Sequence, residues 1–403
     1  MNILLVSFYY TPELGAAPAR IANMAAGFGR LGDRVDVLTC LPNYPKGRIF
    51  DGYRRRLYKR ERIGGCNVYR YWSYVTVSKN PLLRGISLIS FAVNIWLFAF
   101  RRRLIKSYDC VIIQSPPLPI AGSAVALFKC LYRKKTILNI SDLWPLSAVE
   151  LGAMKEGSLI HKWFSRIERF IYKQADAVLG QSEEILNHVA AFESSGKRFL
   201  YRNLQQYDLQ VAPRRKGEPF RIVYAGLLGV AQNMLAIIEN IDFKALGVEF
   251  HLYGGGNQAR EICAYIDERD CNVFYHGYVA KERIGQELVK YDASLVPLTV
   301  RIRGAVPSKI FDIVPLGVPV LFCGGGEGAE IVEKYGIGLI SAPGDYETLK
   351  ENISSLAEMS DSAYGQLSAN CIETSRRHFD FEKQMARCRS FIGTVCGSES
   401  SVE

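Results

Sequence analysis

The chain has 403 residues, 48% hydrophobic and 22% charged, a globular composition that excludes disordered, collagenous and coiled-coil classes. One core rarely organises this length, so two domains are expected. The net charge of +10 is uneven: residues 1–200 hold 29 Lys and Arg against 14 Asp and Glu, a net +15, and residues 201–403 hold 21 against 26, a net −5. Such a step suits two domains with different partners better than a uniform nucleic-acid binder.

In chain order, near-continuous apolar runs mark strands at Ile3–Phe8, Arg34–Thr39, Val68–Trp72, Cys110–Gln114 and Thr136–Ile140. Helical stretches lie between them around Ala19–Leu31, Gly85–Ile105 and Pro119–Tyr132. A second alternation starts at Arg221-Ile-Val-Tyr and continues through Glu249–Tyr253, Val273–His276, Ala293–Pro297, Pro319–Phe322 and Leu339–Ile340. Apolar strands of four to six residues are strands covered on both faces, hence parallel sheets. Two βα series predict an α/β fold of two doubly wound Rossmann-like domains, joined by the polar stretch 205–219. The opening MNILLVSF carries no basic n-region or small-residue cleavage site and reads as a first strand rather than a signal peptide. Ten cysteines form neither a CxxC pair nor a Cys/His cluster of zinc-finger spacing, which points to a reduced, intracellular protein with no structural metal.

Residues 51–106 carry 13 basic side chains against Asp51 and Glu61, with Arg54-Arg55-Arg56 and Arg101-Arg102-Arg103 as the densest runs. The apolar stretch 86–100 lies among them; as a helix it spans roughly 22 Å, short of the roughly 30 Å hydrocarbon core. Two readings stand: a buried helix of the first domain, or a helix in the membrane interface with Trp96 at the acyl boundary and Arg101, Arg102 and Arg103 on anionic headgroups. No RRM, KH or helix-turn-helix spacing is present, so nucleic acid is not an expected partner.

Ligands of doubly wound sheets bind beyond the C-terminal strand ends. Three glycine loops sit there: the loop after strand one with Gly15, Val223-Tyr-Ala-Gly226-Leu-Leu-Gly229, and Gly324-Gly-Gly-Glu-Gly328 with Gly326 at its centre. Each lets the backbone approach an anionic oxygen. Gly27-Phe-Gly29-Arg-Leu-Gly32 spells G-x-G-x-x-G but follows a helix instead of opening one, so it reads as a helix-ending turn. In Arg301-Ile-Arg303-Gly-Ala-Val-Pro307-Ser-Lys309-Ile-Phe-Asp312, Lys309 and Asp312 share a helix face. The cation suits a pyrophosphate and the carboxylate suits ribose hydroxyls; a surface ion pair is the plainer alternative. No Asp-x-Asp occurs, which argues against a dedicated Mg²⁺ or Mn²⁺ site. His161, His188, His251, His276 and His378 show no catalytic spacing and read as structural.

Taken together, these stretches resemble the retaining glycosyltransferases of family 4, which have the two-domain GT-B fold, and among them the bacterial O-antigen, capsule and colanic-acid transferases for acetamido-deoxysugars. The likeness runs through Tyr10-Thr-Pro-Glu-Leu-Gly15, Pro42-Asn-Tyr-Pro-Lys-Gly47 with Gly52-Tyr-Arg54, Asp142-Leu-Trp-Pro145 with Glu150-Leu-Gly152, Tyr224–Gln232, Gly277-Tyr-Val279, Pro307–Asp312 with Gly317-Val-Pro319, and Gly326–Glu330. The resemblance implies two Rossmann-like domains facing across a cleft. An acceptor domain, 1–204, would take back a C-terminal helix of about 378–396, and 205–219 would link it to a nucleotide-sugar domain, 220–377.

It further implies that Gly15 approaches the donor, that Asp142 lies near the reacting sugars with Ser141 where many relatives have histidine, and that Gly226, Gly229, Tyr278 and Val279 cradle nucleotide and base. Asp312 would hold the ribose, and Glu330 would support the loop of Gly326 and Gly328 beneath the diphosphate. The chain departs from the family at Gly304, the first glutamate position of E-x7-E, and at Leu227 and Gln232, where Arg and Lys are usual, so phosphate charge would fall to Arg303 and Lys309. The expected activity is metal-independent, cofactor-free transfer of an acetamido-(deoxy)hexose from a UDP-sugar to a polyprenyl-diphosphate-linked glycan. It would take place at the inner face of the plasma membrane, with Arg54, Arg55 and Trp96 on the acceptor side. Alternatives are a sugar-nucleotide epimerase of the same fold and a non-catalytic GT-B-like subunit of a polysaccharide assembly complex.

Overall fold

The computed structural model describes the chain except for residues 14, 45–46, 77, 79, 193–195, 208, 210, 230–231 and 398–403. Leu14, Pro45, Lys46, Val230 and Ala231 of the stretches quoted above, and Asp208 and Gln210 of the 205–219 segment, therefore lie outside the described residues. Contacts divide the chain into two compact units, Met1–Asn203 with Glu382–Glu403, and Leu204–Phe381.

The first unit runs β1 (Asn2–Val6), α1 (Ala16–Arg30), β2 (Arg34–Cys40), β3 (Tyr58–Ile63), β4 (Cys66–Tyr71), α2 (Pro81–Leu97), α3 (Arg102–Ser107), β5 (Cys110–Ser115), α4 (Leu118–Val125), β6 (Lys135–Ile140), α5 (Leu146–Glu150), α6 (Leu159–Gln174), β7 (Ala177–Gly180), α7 (Glu183–Ala190) and β8 (Lys197–Leu200). Among the described residues its eight strands take the order β3-β4-β2-β1-β5-β6-β7-β8. The central strands are buried on both faces because helices cover both, as their unbroken Ile, Leu and Val runs require. One strand departs from the all-parallel expectation. β3 pairs antiparallel with β4, and its sequence Tyr-Lys-Arg-Glu-Arg-Ile carries the polar alternation of an edge strand.

The helix expected at 85–105 breaks at Arg101, whose φ of −87° and ψ of 46° separate a 3₁₀ turn at Phe98–Phe100 from α3. Of the two readings of 86–100, the one that makes it a wholly buried helix is overturned. Phe91, Ile95 and Phe98 enter the core, but Leu82, Ile86, Ile89, Val93, Trp96, Leu97 and Phe100 are exposed.

The second unit runs β9 (Phe220–Leu227), α8 (Met234–Asn240), β10 (Val248–Gly255), α9 (Ala259–Asp267), β11 (Val273–Gly277), α10 (Lys281–Leu288), β12 (Ala293–Pro297), α11 (Lys309–Ile313), β13 (Val320–Cys323), α12 (Glu327–Tyr335), β14 (Gly338–Ser341), α13 (Tyr346–Glu358) and α14 (Asp361–His378). Among the described residues its six parallel strands are ordered β11-β10-β9-β12-β13-β14. The 205–219 segment is packed rather than free. The Gly217 and Arg221 amides donate to the Asp292 carboxylate at 2.9 and 2.8 Å, and Lys216 Nζ donates to the Ala357 carbonyl.

The last helix, α15 (Phe381–Cys396), belongs to the first unit. Arg389 pairs with Asp33 at 2.9 Å, and the Gln384 amide exchanges hydrogen bonds with the Arg202 backbone. Gly27 makes this docking possible, since a Cβ there would lie 2.8 Å from Met385. Gly27 and Gly29 sit inside α1 and Gly32 turns the chain beyond it at φ +82°, so the G-x-G-x-x-G spelling is a helix end.

Candidate functional site

Each unit has a point where successive parallel strands are laid down in opposite directions, between β1 and β5 in the first and between β9 and β12 in the second. At such a switch point neighbouring loops diverge and leave a crevice beyond the carboxyl strand ends. In the second unit the loops at the reversal carry Gly226–Gly229 on one side and Arg301–Lys309 on the other.

Lys309 opens α11 with its ammonium against the end of β9. A Cβ on Gly226 would lie 2.6 Å from Lys309 Nζ, and Nζ stands 5.5 Å from the Tyr224 ring centre. Burial pushes the Lys309 ammonium below the usual lysine range, and the Asp312 carboxylate, one turn on, partly restores it. The Tyr224 hydroxyl donates to the Leu227 carbonyl at 2.7 Å, which holds the turn after β9. Glycines at the end of β10 and just beyond it let the backbones close up: a Cβ on Gly254 would overlap the Gly226 carbonyl, and one on Gly256 the Leu228 carbonyl. Leu228 N–H donates to the Gly255 carbonyl at 3.0 Å. The exposed Tyr278 ring lies on Gly255, where a Cβ would stand 2.6 Å from it, and Val279 follows half-buried.

The third glycine loop joins β13 to α12. Gly328 lies against the Phe322 ring, and Gly326 is the N-cap of α12 at φ +69°, with no side-chain capping hydrogen bond of its own. Glu330, expected to support this loop, is exposed. The buried carboxylate of the turn is Glu327; Arg301 is exposed, with its Cδ 3.9 Å from where a Cβ on Gly325 would lie. Arg303 is exposed on the same loop. Gly304 has φ +77°, a left-handed backbone that a glutamate there would resist.

In the first unit Gly15, at φ +131°, is the N-cap of the 15-residue α1, whose first turn has neither a side-chain cap nor an acidic residue. Glu13 fixes this loop. Its Oε1 accepts from the Asn43 and Tyr44 amides at 2.9 Å each, and its Oε2 from Tyr10 N–H at 3.1 Å. Burial raises the Glu13 carboxyl above its usual range, and the three amides oppose that rise. Arg70, fully buried, braces the same loop by donating to the Thr11 carbonyl while pairing with Glu61 at 2.5 Å.

Asp142 follows β6, and burial pushes its carboxyl up, with Glu150 adding to the rise. A buried hydrogen-bond chain reaches the residue before it. Arg20 donates to Asn139 Oδ1 at 2.7 Å, Asn139 to Gln114 Oε1 at 2.7 Å, and Gln114 to Ser141 Oγ at 2.8 Å.

On the basic surface Arg54 pairs with Asp51 at 3.2 Å, Arg55 is exposed at φ +59°, and Arg102 and Arg103 point to solvent. Arg101 turns inward over the Tyr58 and Tyr69 rings, at 5.0 and 5.3 Å. Among the described residues no three His, Cys, Asp or Glu side chains converge as a metal site. His188 pairs with Glu168, and His251 with His276 at 2.9 Å.

Residues 15–199 match the family described as "Glycosyl transferase 4-like domain", and residues 219–359 the family described as "Glycosyl transferases group 1". The chain belongs to the family 4-like glycosyltransferases. It is 25% identical over 338 residues to the putative colanic acid biosynthesis glycosyl transferase WcaI of Escherichia coli (strain K12), covering 79% of this chain and 82% of that one. Among solved structures, sucrose-phosphate synthase from Thermosynechococcus elongatus aligns with a TM-score of 0.75 at 15% identity, over 99% of this chain and 100% of the other. Anabaena Alr3699/HepE in complex with UDP aligns at 0.69 and 14%, over 98% and 100%. Both structures show that this glycosyltransferase has the GT-B fold of two parallel-sheet domains.

Proposed function

We propose that the chain transfers an acetamido-(deoxy)hexose, with retention, from a UDP-sugar to a polyprenyl-diphosphate-linked glycan in bacterial surface polysaccharide synthesis, at the inner membrane face. The observation that carries the donor half is the Lys309 ammonium held against Gly226 at the switch point of the second unit. The departing UDP gains negative charge as the glycosidic bond breaks. Preorganised N–H groups at Gly226–Gly229 and the α12 N-terminus, with Lys309 and the loop arginines Arg301 and Arg303, would stabilise that charge. Asp312 would take ribose hydroxyls. The leaving phosphate can itself accept the acceptor's proton, so the reaction calls for no separate general base and no metal. The relative WcaI is described as a colanic acid biosynthesis enzyme, and HepE was solved with UDP and with UDP-glucose, which supports a UDP-sugar donor and a polysaccharide setting. The exposed apolar face of α2 supports the lipid-linked acceptor.

A screen of UDP-sugars against an undecaprenyl-diphosphate-sugar, with product analysis, tests the reading. Radiolabel in butanol-extractable lipid supports it, whereas a free epimerised sugar nucleotide, or no UDP binding at all, would contradict it.

A further inference from the structure

Helix α4 lies between α2 and α6, and the three helices leave an open groove of about 470 Å³. Ile89 and Ala92 of α2, Pro119 of α4, and Trp163, Ile167 and Phe170 of α6 line it. The lining has one charged side chain, Arg166. Close packing shapes the floor: a Cβ on Gly122 would lie 2.9 Å from Ile167, so glycine lets α4 and α6 approach. Around the groove the apolar surface continues through Leu82 (76% exposed), Phe100 (85%) and Leu159 (85%), with Ile160 and Trp163 also exposed on α6. Contiguous exposed apolar surface of this kind marks an interaction site rather than ordinary solvent contact.

Charge decides what covers it. From Pro81 to Tyr108 there are five basic side chains and no acidic one. Helix α6 adds Lys162, Arg166, Arg169 and Lys173, and its single acid, Glu168, is buried against His188. A protein partner would have to bring a matching acidic rim, whereas an anionic bilayer offers hydrocarbon and phosphate in that arrangement everywhere. Two indoles, Trp96 and Trp163, on this one face suit the headgroup boundary.

We infer that the α2–α4–α6 face docks on an anionic phospholipid bilayer and that its groove seats one acyl chain, with Arg166 at the lipid phosphate. The inference rests on the membrane-surface part of the proposed function and adds α6 and the groove to it. The test uses the full chain and vesicles of phosphatidylcholine with 30% phosphatidylglycerol, some carrying brominated acyl chains. Wild type is expected to sediment with these vesicles at least tenfold more strongly than with pure phosphatidylcholine. Brominated chains should quench a fluorescence component that Trp163→Phe removes. Leu159→Glu should lower partitioning at least tenfold. Ala92→Phe, which fills the groove, should remove the Trp163 quenching while leaving much of the sedimentation.

UDP affinity, measured on the same proteins, should be unchanged in all three variants, so failure of the donor reading is seen separately. Vesicle binding without Trp163 quenching, equal binding to neutral vesicles, or capture of polyprenyl phosphate alone would each overturn the inference.

Discussion

The Lys309 ammonium occupies the space that a side chain on Gly226 would need: a Cβ there would fall 2.6 Å from Nζ. Two residues 83 positions apart are thereby made one feature, a cation set on a bare strand end. Gly226→Ala should fold, because the group in the way is the far end of a flexible chain, but it should displace Lys309. Calorimetry is expected to show UDP affinity reduced about tenfold or more, with little change in thermal midpoint. Retained affinity would show that the glycine serves only strand packing.

Lys309 also predicts a pH dependence. Its folded pKa lies below the ordinary lysine value because burial disfavours the charged form. On the proposed role of Lys309 at the diphosphate, UDP affinity should fall as pH rises through the lowered pKa, before an exposed lysine would titrate. In the free protein the sign is opposite: burying the charge costs stability below the unfolded pKa, and the cost is relieved as pH rises through the folded one. Lys309→Arg should carry the binding profile to higher pH, and a titration of UDP affinity between pH 7 and 10.5 reads it.

Asp142 is raised by burial, so its ionised form destabilises the fold above the unfolded carboxylate pKa, and the cost disappears as pH falls below it. Asp142→Asn should therefore raise the thermal midpoint at pH 7, with the gain vanishing at acid pH, while transfer slows. A lowered midpoint at pH 7 would show that the carboxylate holds the structure instead.

Glu13→Ala leaves three backbone N–H groups without their acceptor and should cost about 1–3 kcal/mol in denaturant unfolding. Glu13→Gln keeps one acceptor oxygen and should recover part of this loss. Equal stability of both variants and wild type would remove Glu13 as the clasp of the Gly15 loop.

The βα alternation was legible because the buried parallel strands are short unbroken apolar runs, and Pro307-Ser-Lys309 was legible because a cation sits where a chain turns from strand to helix. The glycines at 254–256 could have been found the same way, as three in a row after an apolar strand. Other features had no local signal. The Arg20–Asn139–Gln114–Ser141 chain joins residues up to 121 positions apart, and each looks like an ordinary polar residue in sequence. Arg301 against Gly325, and Glu327 rather than Glu330 inside, depend on which way a turn faces. Strand β3 was missed because an edge strand alternates polar and apolar residues where interior strands do not, whereas its partner β4 was legible as the apolar run Val68–Trp72.

The most direct test is UDP binding by calorimetry to the full chain and to Lys309→Ala at pH 7.5 and low salt. Wild type should bind, and the variant should lose about 1–3 kcal/mol, roughly five- to 150-fold in affinity, with an unchanged fold by circular dichroism. Equal affinity for both proteins would contradict the assignment of the diphosphate to the Lys309–Gly226 corner, and with it the donor half of the proposed reaction.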